Sequence, residues 1–151
     1  MQNSLFHKIF ITISYRNPDM NTKIIMVTIG TWFLFMILAI INAGIRNGVY
    51  KPIIGDLRAH QLSTLIFIIL ILIATYVIFR FTQISLTTNE TIYIGVLWMI
   101  MTICFEFLAG HYIFGNSWDK LFTDYNLFNG RVWMFVPISL LLTPYFINRI
   151  L

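Results

Sequence analysis

Residues 62–79 read LSTLIFIILILIATYVIF, a run without a single charge that ends only at Arg80. A helix needs about 20 apolar residues to cross the ~30 Å hydrocarbon core of a bilayer, at about 1.5 Å per residue. Lipid offers no hydrogen bonds to the backbone, so a spanning segment is either a helix or a strand of a closed barrel. Barrel strands are alternating segments of about ten residues, which this run does not resemble. The stretch therefore predicts a membrane-spanning helix.

Three further apolar runs flank this stretch: Ile24–Ile45, Thr91–Phe114 and Val132–Ile150. The composition agrees, since 58% of the residues are hydrophobic, 11% are charged and the mean hydropathy is +0.80. Soluble proteins average about 45–50% apolar and about 25% charged residues. The sequence predicts an all-α fold, namely an integral membrane four-helix bundle. It forms a single domain over residues 1–151, with spans at about 24–45, 62–79, 91–114 and 132–150.

The charges and the cysteine content indicate which partners and cofactors to expect. The net charge of +4 comes from scattered basic residues, which predicts the lipid bilayer as a partner and no nucleic acid. The one cysteine, Cys104, lies within the third run, so it forms no intramolecular disulfide and is expected to be a small core residue. No motif for a cofactor is present, and none is expected.

Two segments outside the runs have the spacing of amphipathic helices. In the third connection the apolar residues follow an i, i+3, i+4, i+7 pattern: Trp118, Leu121, Phe122 and Tyr125. Asp119 and Asp124 lie on the other face. This pattern predicts an interfacial helix or a lid over the bundle. Near the N-terminus, similar spacing favours a second interfacial helix over a cleaved signal peptide; its apolar residues are Leu5, Phe6, Ile9, Phe10 and Ile13.

Four spans would place both termini on the same side of the membrane. Each side then carries five Lys or Arg residues, so the positive-inside rule does not choose between the two orientations. We favour cytoplasmic termini in a bacterial inner membrane. The opposite side holds four acids as well, and arginines that are paired within a site report poorly on orientation.

The connection between spans one and two must share a face with the connection between spans three and four. Nearly all unusual polar residues of the chain lie in or beside these two connections, which predicts a polar site on that face. Its members are Arg46, Asp56, Arg58, His60, Glu106, His111, Asp119, Asp124 and Arg131.

Glu106 is the most costly of these residues, because it lies about 15 residues into the third run with apolar neighbours on both sides. A charge in that position costs roughly 2.5–3.5 kcal/mol and usually faces the bundle interior with a partner. One interpretation is a proton, ion or ligand site, and a second is a structural ion pair with Arg46 or Arg131. A third is a protonated carboxyl that is hydrogen-bonded to the backbone. Spacing by four residues puts Trp98, Thr102 and Gly110 on the same helix face.

Asp56 and His60 are four residues apart, so on a helix they share a face, and the carboxylate could set the imidazole tautomer. His111 approaches from the third span. No HxxxH or ExxH pair is present, and ligands would have to come from separate segments. The sequence therefore predicts no metal site, and it indicates a proton relay or a helix start at the headgroup level.

The polar motifs also resemble those of small, uncharacterised bacterial four-span membrane proteins. The residues concerned are Phe105–Tyr112, Gly115 to Asp119, Asp124 to Asn126, Gly130-Arg131 and Gly55 to Thr64. The order of an intramembrane Glu, a Trp-Asp or Asp-Tyr pair and then Asn-Gly-Arg is similar to the ABC-transporter type IV membrane family. That resemblance implies a transport-associated membrane component without an ATPase of its own.

Two functions follow as expectations. The first is an oligomeric transporter or channel subunit that handles a proton, an ion or a small solute at the polar site. The second is a non-catalytic accessory subunit of a larger membrane complex. The sequence contains no nucleophile–base pair and no phosphate-binding glycine loop, so an enzyme is the less favoured interpretation and no catalytic residue is named.

Overall fold

The computed structural model describes residues 18–151, and within them every regular element is helical. The interfacial helix expected near the N-terminus lies outside the described residues. The elements are α1 (Pro18–Ile45), a π-helical turn (Arg46–Tyr50), α2 (Lys51–Ile54), α3 (Asp56–Thr82), α4 (Thr88–Tyr112), α5 (Trp118–Thr123), a 3-10 turn (Leu127–Asn129) and α6 (Phe135–Ile150).

The long helices run alternately up and down. Helix α1 packs against α3, and α6 packs against both α3 and α4. Hydrogen bonds fix this order: Asn42 Nδ2 donates to the Ser63 carbonyl at 3.0 Å, and Gln61 Nε2 donates to the Gly130 carbonyl at 3.0 Å. Residues 46–61 and 111–131 therefore meet at one end of the bundle, called the loop end below. The opposite end, called the tail end, contains residues 83–87 and the C-terminus.

Three helical segments are long and apolar enough to cross a membrane, as judged by length and composition: Asp19–Ile54, Asp56–Thr82 and Thr88–Tyr112. The fourth predicted span, 132–150, is a shorter helix of 16 residues that starts at Phe135. Val132 precedes this helix, and its backbone N–H donates to His60 Nε2 at 3.3 Å. At about 1.5 Å per residue, α6 is about 24 Å long, which is less than a full bilayer core.

The segment between the first two spans was expected to be a connection from 46 to 61, and here the prediction was wrong. Helical backbone continues through a π-helical turn and α2 as far as Ile54. The break is at Gly55, whose φ of 82° suits glycine far better than other residues. Asp56 then starts α3 directly, so Asp56 and His60 do lie on one helix.

The third connection contains a shorter helix than its spacing predicted. Ser117 caps α5, since its Oγ accepts the Lys120 backbone N–H at 3.3 Å, and the helix ends after six residues at Thr123. Tyr125 thus lies beyond the helix, in a turn. Gly130, in the left-handed conformation with φ 74°, ends the 3-10 turn and leads to α6.

The core lies toward the tail end, where α1 and α4 are joined by two tryptophans. Trp98 Nε1 donates to the Thr28 carbonyl at 2.9 Å, and Trp32 Nε1 donates to Thr102 Oγ1 at 3.0 Å. Trp98 is fully buried. The expectation for Cys104 was wrong, because this residue is exposed on α4, two positions beyond Thr102.

Candidate functional site

A cavity of about 490 Å³ opens where α1 and α4 separate, between the two tryptophan hydrogen bonds and the loop end. Its walls come from all four long helices and from the third connection. Apolar and aromatic side chains line the cavity along its whole depth, while its charged and amide side chains lie toward the loop end. The apolar set includes Trp32, Phe35, Phe67, Phe105, Trp133 and Leu140, and the polar set includes Arg46, Asn47, Glu106, Asn116, Lys120, Asp124 and Tyr125.

The floor of the cavity is formed by buried aromatic residues. Trp32 is buried, held by its bond to Thr102, and its ring meets Phe105 edge to face at 6.0 Å. Phe35 is also buried and meets the fully buried Trp98 edge to face at 5.0 Å. These aromatic contacts occupy the space between α1 and α4 below the cavity, so they close it toward the tail end.

The third connection forms the roof. Leu121 packs so tightly on Gly110 that a Cβ at that position would lie 2.7 Å from Leu121 Cδ2. Phe107 of α4 stacks on Trp118 and Tyr125, with ring centroids 6.4 Å and 5.7 Å apart. Of the residues predicted to form a lid, Leu121, Asp124 and Tyr125 line the cavity and form its roof. Trp118 and Asp119 do not line the cavity.

Glu106 is partly buried on the cavity wall, and its carboxylate accepts a hydrogen bond from the Tyr125 hydroxyl. Burial, followed by the neighbouring Glu106 charge, raises the pKa of the Tyr125 phenol, so this group keeps its proton and remains the donor. Trp133 adds a polar interaction with both side chains. The carboxylate that sequence analysis singled out therefore has neutral partners from the roof and from the segment that leads into α6.

The ion pairs expected between Glu106 and Arg46 or Arg131 are not present. Arg131 instead forms an ion pair with Asp56 and lies 3.6 Å from Asp124 Oδ1. Asp56 also receives Lys51 Nζ at 2.9 Å. These charges stabilise the loop end and lie beside the cavity. Arg46 does line the cavity, and its Nε donates to Asn47 Oδ1 at 3.3 Å.

His60 is buried behind the cavity wall. Asp56 was expected to be its partner, but no hydrogen bond joins the two side chains. The Val132 N–H donates to Nε2, so the proton of the neutral ring is on Nδ1. Nδ1 faces Asp124 Oδ1 at 3.9 Å, which is too long for a hydrogen bond, and it has no hydrogen-bond partner among the described residues. The imidazole thus connects the start of α3 to the residues before α6.

His111 lies apart from the Glu106 cluster. Its ring stacks on Trp118 with centroids 4.1 Å apart, and Nδ1 is 2.9 Å from the Asn116 carbonyl oxygen. Both contacts hold the turn from α4 into α5. The structure therefore places Glu106 and Arg46 on the cavity wall. Asp56, His60 and Arg131 lie at the loop end outside the cavity lining, and His111 supports the roof.

Trp133 is the cavity residue that sequence analysis missed. It stacks on Phe67 with an interplanar angle of 3° and also faces Glu106 and Tyr125. A tryptophan near the end of an apolar run is typical of a membrane interface, so its sequence position gave no sign of a role in a cavity.

Within residues 18–151, no group of three or more His, Cys, Asp or Glu side chains is placed to hold a metal ion. The cavity therefore offers a mixed aromatic and polar surface, with the Glu106 carboxylate on its wall and the charged groups of Arg46, Lys120 and Asp124 toward the loop end. The chain matches no protein-family model, no curated protein and no solved structure.

Proposed function

We propose that this chain is an integral membrane protein that binds a small amphipathic solute in the cavity between α1 and α4, as the solute-handling subunit of a transporter. The observation that carries the proposal is a closed-floored cavity with a carboxylate on its wall. Intramembrane carboxylates that face a bundle interior commonly mark substrate or ion pathways. The bound solute would place its polar group near Glu106 and its apolar part against the aromatic floor.

The dimensions of the cavity agree with this role. Sites for small organic molecules are typically clefts of about 300–1,000 Å³ with mostly apolar walls and a few placed polar groups. The cavity volume of about 490 Å³ lies in this range, and its polar groups concentrate near the loop end. An amphipathic molecule, which has one polar and one apolar part, is complementary to this distribution of polar groups.

The closed floor favours a binding site over an open pore. A channel would need a continuous path to the tail end, and the Trp32–Thr102 and Trp98–Thr28 bonds cross that path. Movement of a solute to the other side would require α1 and α4 to separate at these bonds. In this proposal the loop end lies at one membrane surface, and both termini lie at the other.

Filling the cavity tests the proposal. Ala43 lines it, so Ala43→Trp should occupy the space that a solute needs. Ile37→Trp is the matched control, because it adds the same side chain to the same helix at a residue that is 50% exposed and does not line the cavity. Protein extracted gently in its own lipids is expected to retain a small molecule, detectable by native mass spectrometry, in the wild type and Ile37→Trp but not in Ala43→Trp.

Equal retention by Ala43→Trp and the wild type would show that the solute binds elsewhere. If the wild type carries no small molecule and instead copurifies with other membrane proteins, the accessory-subunit function is favoured. Thermal unfolding of the three proteins identifies any loss of retention that is caused by misfolding alone.

A further inference from the structure

We infer that the solute is a lipophilic organic cation, held by the Glu106 carboxylate and by the aromatic walls of the cavity. This inference rests on the proposed function and names the chemical class of its ligand. Glu106 is bonded to the hydroxyl of Tyr125, and no Lys or Arg side chain among residues 18–151 forms an ion pair with it. The group that bonds to this carboxylate is neutral, and the second carboxylate of the cavity, Asp124, adds further negative charge near it. A ligand that brings the opposite charge stabilises carboxylates in such a low-dielectric cavity.

Three cations of the loop end, Lys120, Arg46 and Arg131, have other partners than Glu106. Lys120 Nζ donates to Asn116 Oδ1 at 2.6 Å, and Arg46 Nε donates to Asn47 Oδ1 at 3.3 Å. Arg131, the third of them, is engaged with Asp56 and with Asp124. These contacts engage the guanidinium and ammonium groups with residues of the loop end rather than with Glu106.

The walls next to Glu106 also favour a cation. The face of an aromatic ring attracts positive charge by about 0.5–2 kcal/mol, with the larger values at sites shielded from water. Trp133 lies beside Glu106, while Phe105 and Trp32 form the adjacent wall and floor. The same rings provide apolar contact for the body of the ligand, so a cation with an aromatic or aliphatic body satisfies both surfaces.

Two probe ions distinguish the effect of ligand charge on binding from the effect of ligand shape. Tetraphenylphosphonium and tetraphenylborate have nearly the same size and shape but opposite charge. Equilibrium dialysis against protein in lipid nanodiscs measures their uptake. Lipid absorbs both ions, so specific binding is the difference between the wild type and Ala43→Trp, whose cavity is filled.

The wild type is expected to bind tetraphenylphosphonium specifically and to bind tetraphenylborate at least about tenfold more weakly. Glu106→Gln should weaken tetraphenylphosphonium binding by about 10- to 100-fold, and Glu106→Asp should restore part of it. Asp19→Asn is the control for loss of one negative charge, because Asp19 lies exposed at the start of α1, far from the loop end. Its binding should equal that of the wild type.

The outcomes separate the inference from the function on which it rests. Specific binding of tetraphenylborate, or of both ions with equal affinity, overturns the cation assignment while leaving a solute-binding cavity in place. Unchanged tetraphenylphosphonium binding in Glu106→Gln also overturns it. If neither ion shows a difference between the wild type and Ala43→Trp, and the native mass spectra show no bound molecule, both the inference and the proposed function fail.

Discussion

Replacing Gly95 by alanine is expected to destabilise the protein by about 2 kcal/mol or more, which is the upper part of the cost of overfilling a core. A Cβ at this position would overlap the carbonyl oxygen and carbon of Leu141 in α6. These are backbone atoms of a packed helix, so they cannot rotate away as a side chain can. The two helices would have to move apart along the most extensive interface of the bundle. Gly95→Leu should prevent folding.

The measurement is unfolding of purified protein in mixed micelles of increasing dodecyl sulfate content, monitored by circular dichroism. Two other glycines within helices provide a graded control. Gly110→Ala meets only the end of the Leu121 side chain, which can shift, so its effect should be clearly smaller. Gly30→Ala meets no atom within 4 Å and should be neutral or stabilising by up to about 1 kcal/mol. Equal effects at the three positions would contradict the packing explanation.

The apolar runs predicted the long helices because charge and hydropathy are local properties that a membrane helix must satisfy by itself. They predicted helix ends less well. The first apolar run ended at Ile45, just before the charge of Arg46, yet helical backbone continues to Ile54. The helix instead breaks at Gly55, which has a positive φ. The polar residues beside Gly55 do not indicate this backbone conformation.

In the site, too, a property of one residue could be predicted from the sequence, whereas a contact between distant residues could not. Glu106 could be found from sequence, because a carboxylate within an apolar run is costly wherever the chain folds. Its partner could not, because charge alone pointed to Arg46 or Arg131. The fold instead brings Tyr125 to the carboxylate and gives Arg131 to Asp56. The third connection contains several polar side chains. The turns at residues 124–134 determine which of them reaches Glu106 on the cavity wall, and the sequence of these turns has no distinctive pattern.

The close approach of α4 and α6 was equally hidden from sequence analysis. Gly95 lies in a continuous apolar run, where a glycine is unremarkable because small residues are common in membrane helices. Gly110 drew attention only through its spacing from Glu106. The space around a glycine depends on the neighbouring helix, and in this bundle one such neighbour is backbone while another is a mobile side chain.

Trp98→Ala is expected to have an effect of similar size, about 3 kcal/mol or more, which is typical of removing a large aromatic residue from a core. Trp98 is fully buried, and its ring meets Phe35 and Phe79 with centroids 5.0 Å and 6.4 Å away. The indole also donates to the Thr28 carbonyl, so the substitution removes one of the two tryptophan hydrogen bonds between α1 and α4. Tyr93→Ala, on the same helix but 70% exposed, is the matched control and should change stability little.

This variant also links stability to the cavity floor. With Trp98 removed, Phe35 loses the ring against which it packs, and the only remaining indole bond between α1 and α4 is Trp32–Thr102. The floor should then loosen, and ligand retention should fall together with the unfolding free energy. Trp98→Phe separates these effects, because it keeps much of the aromatic contact and removes only the donor. It should lose about 1 kcal/mol from the hydrogen bond, in addition to the volume term, and should retain ligand better than Trp98→Ala. Retention in Trp98→Ala that equals the wild type, measured at a temperature where both are folded, would show that the floor is held by α3 and α6 rather than by the tryptophan bonds.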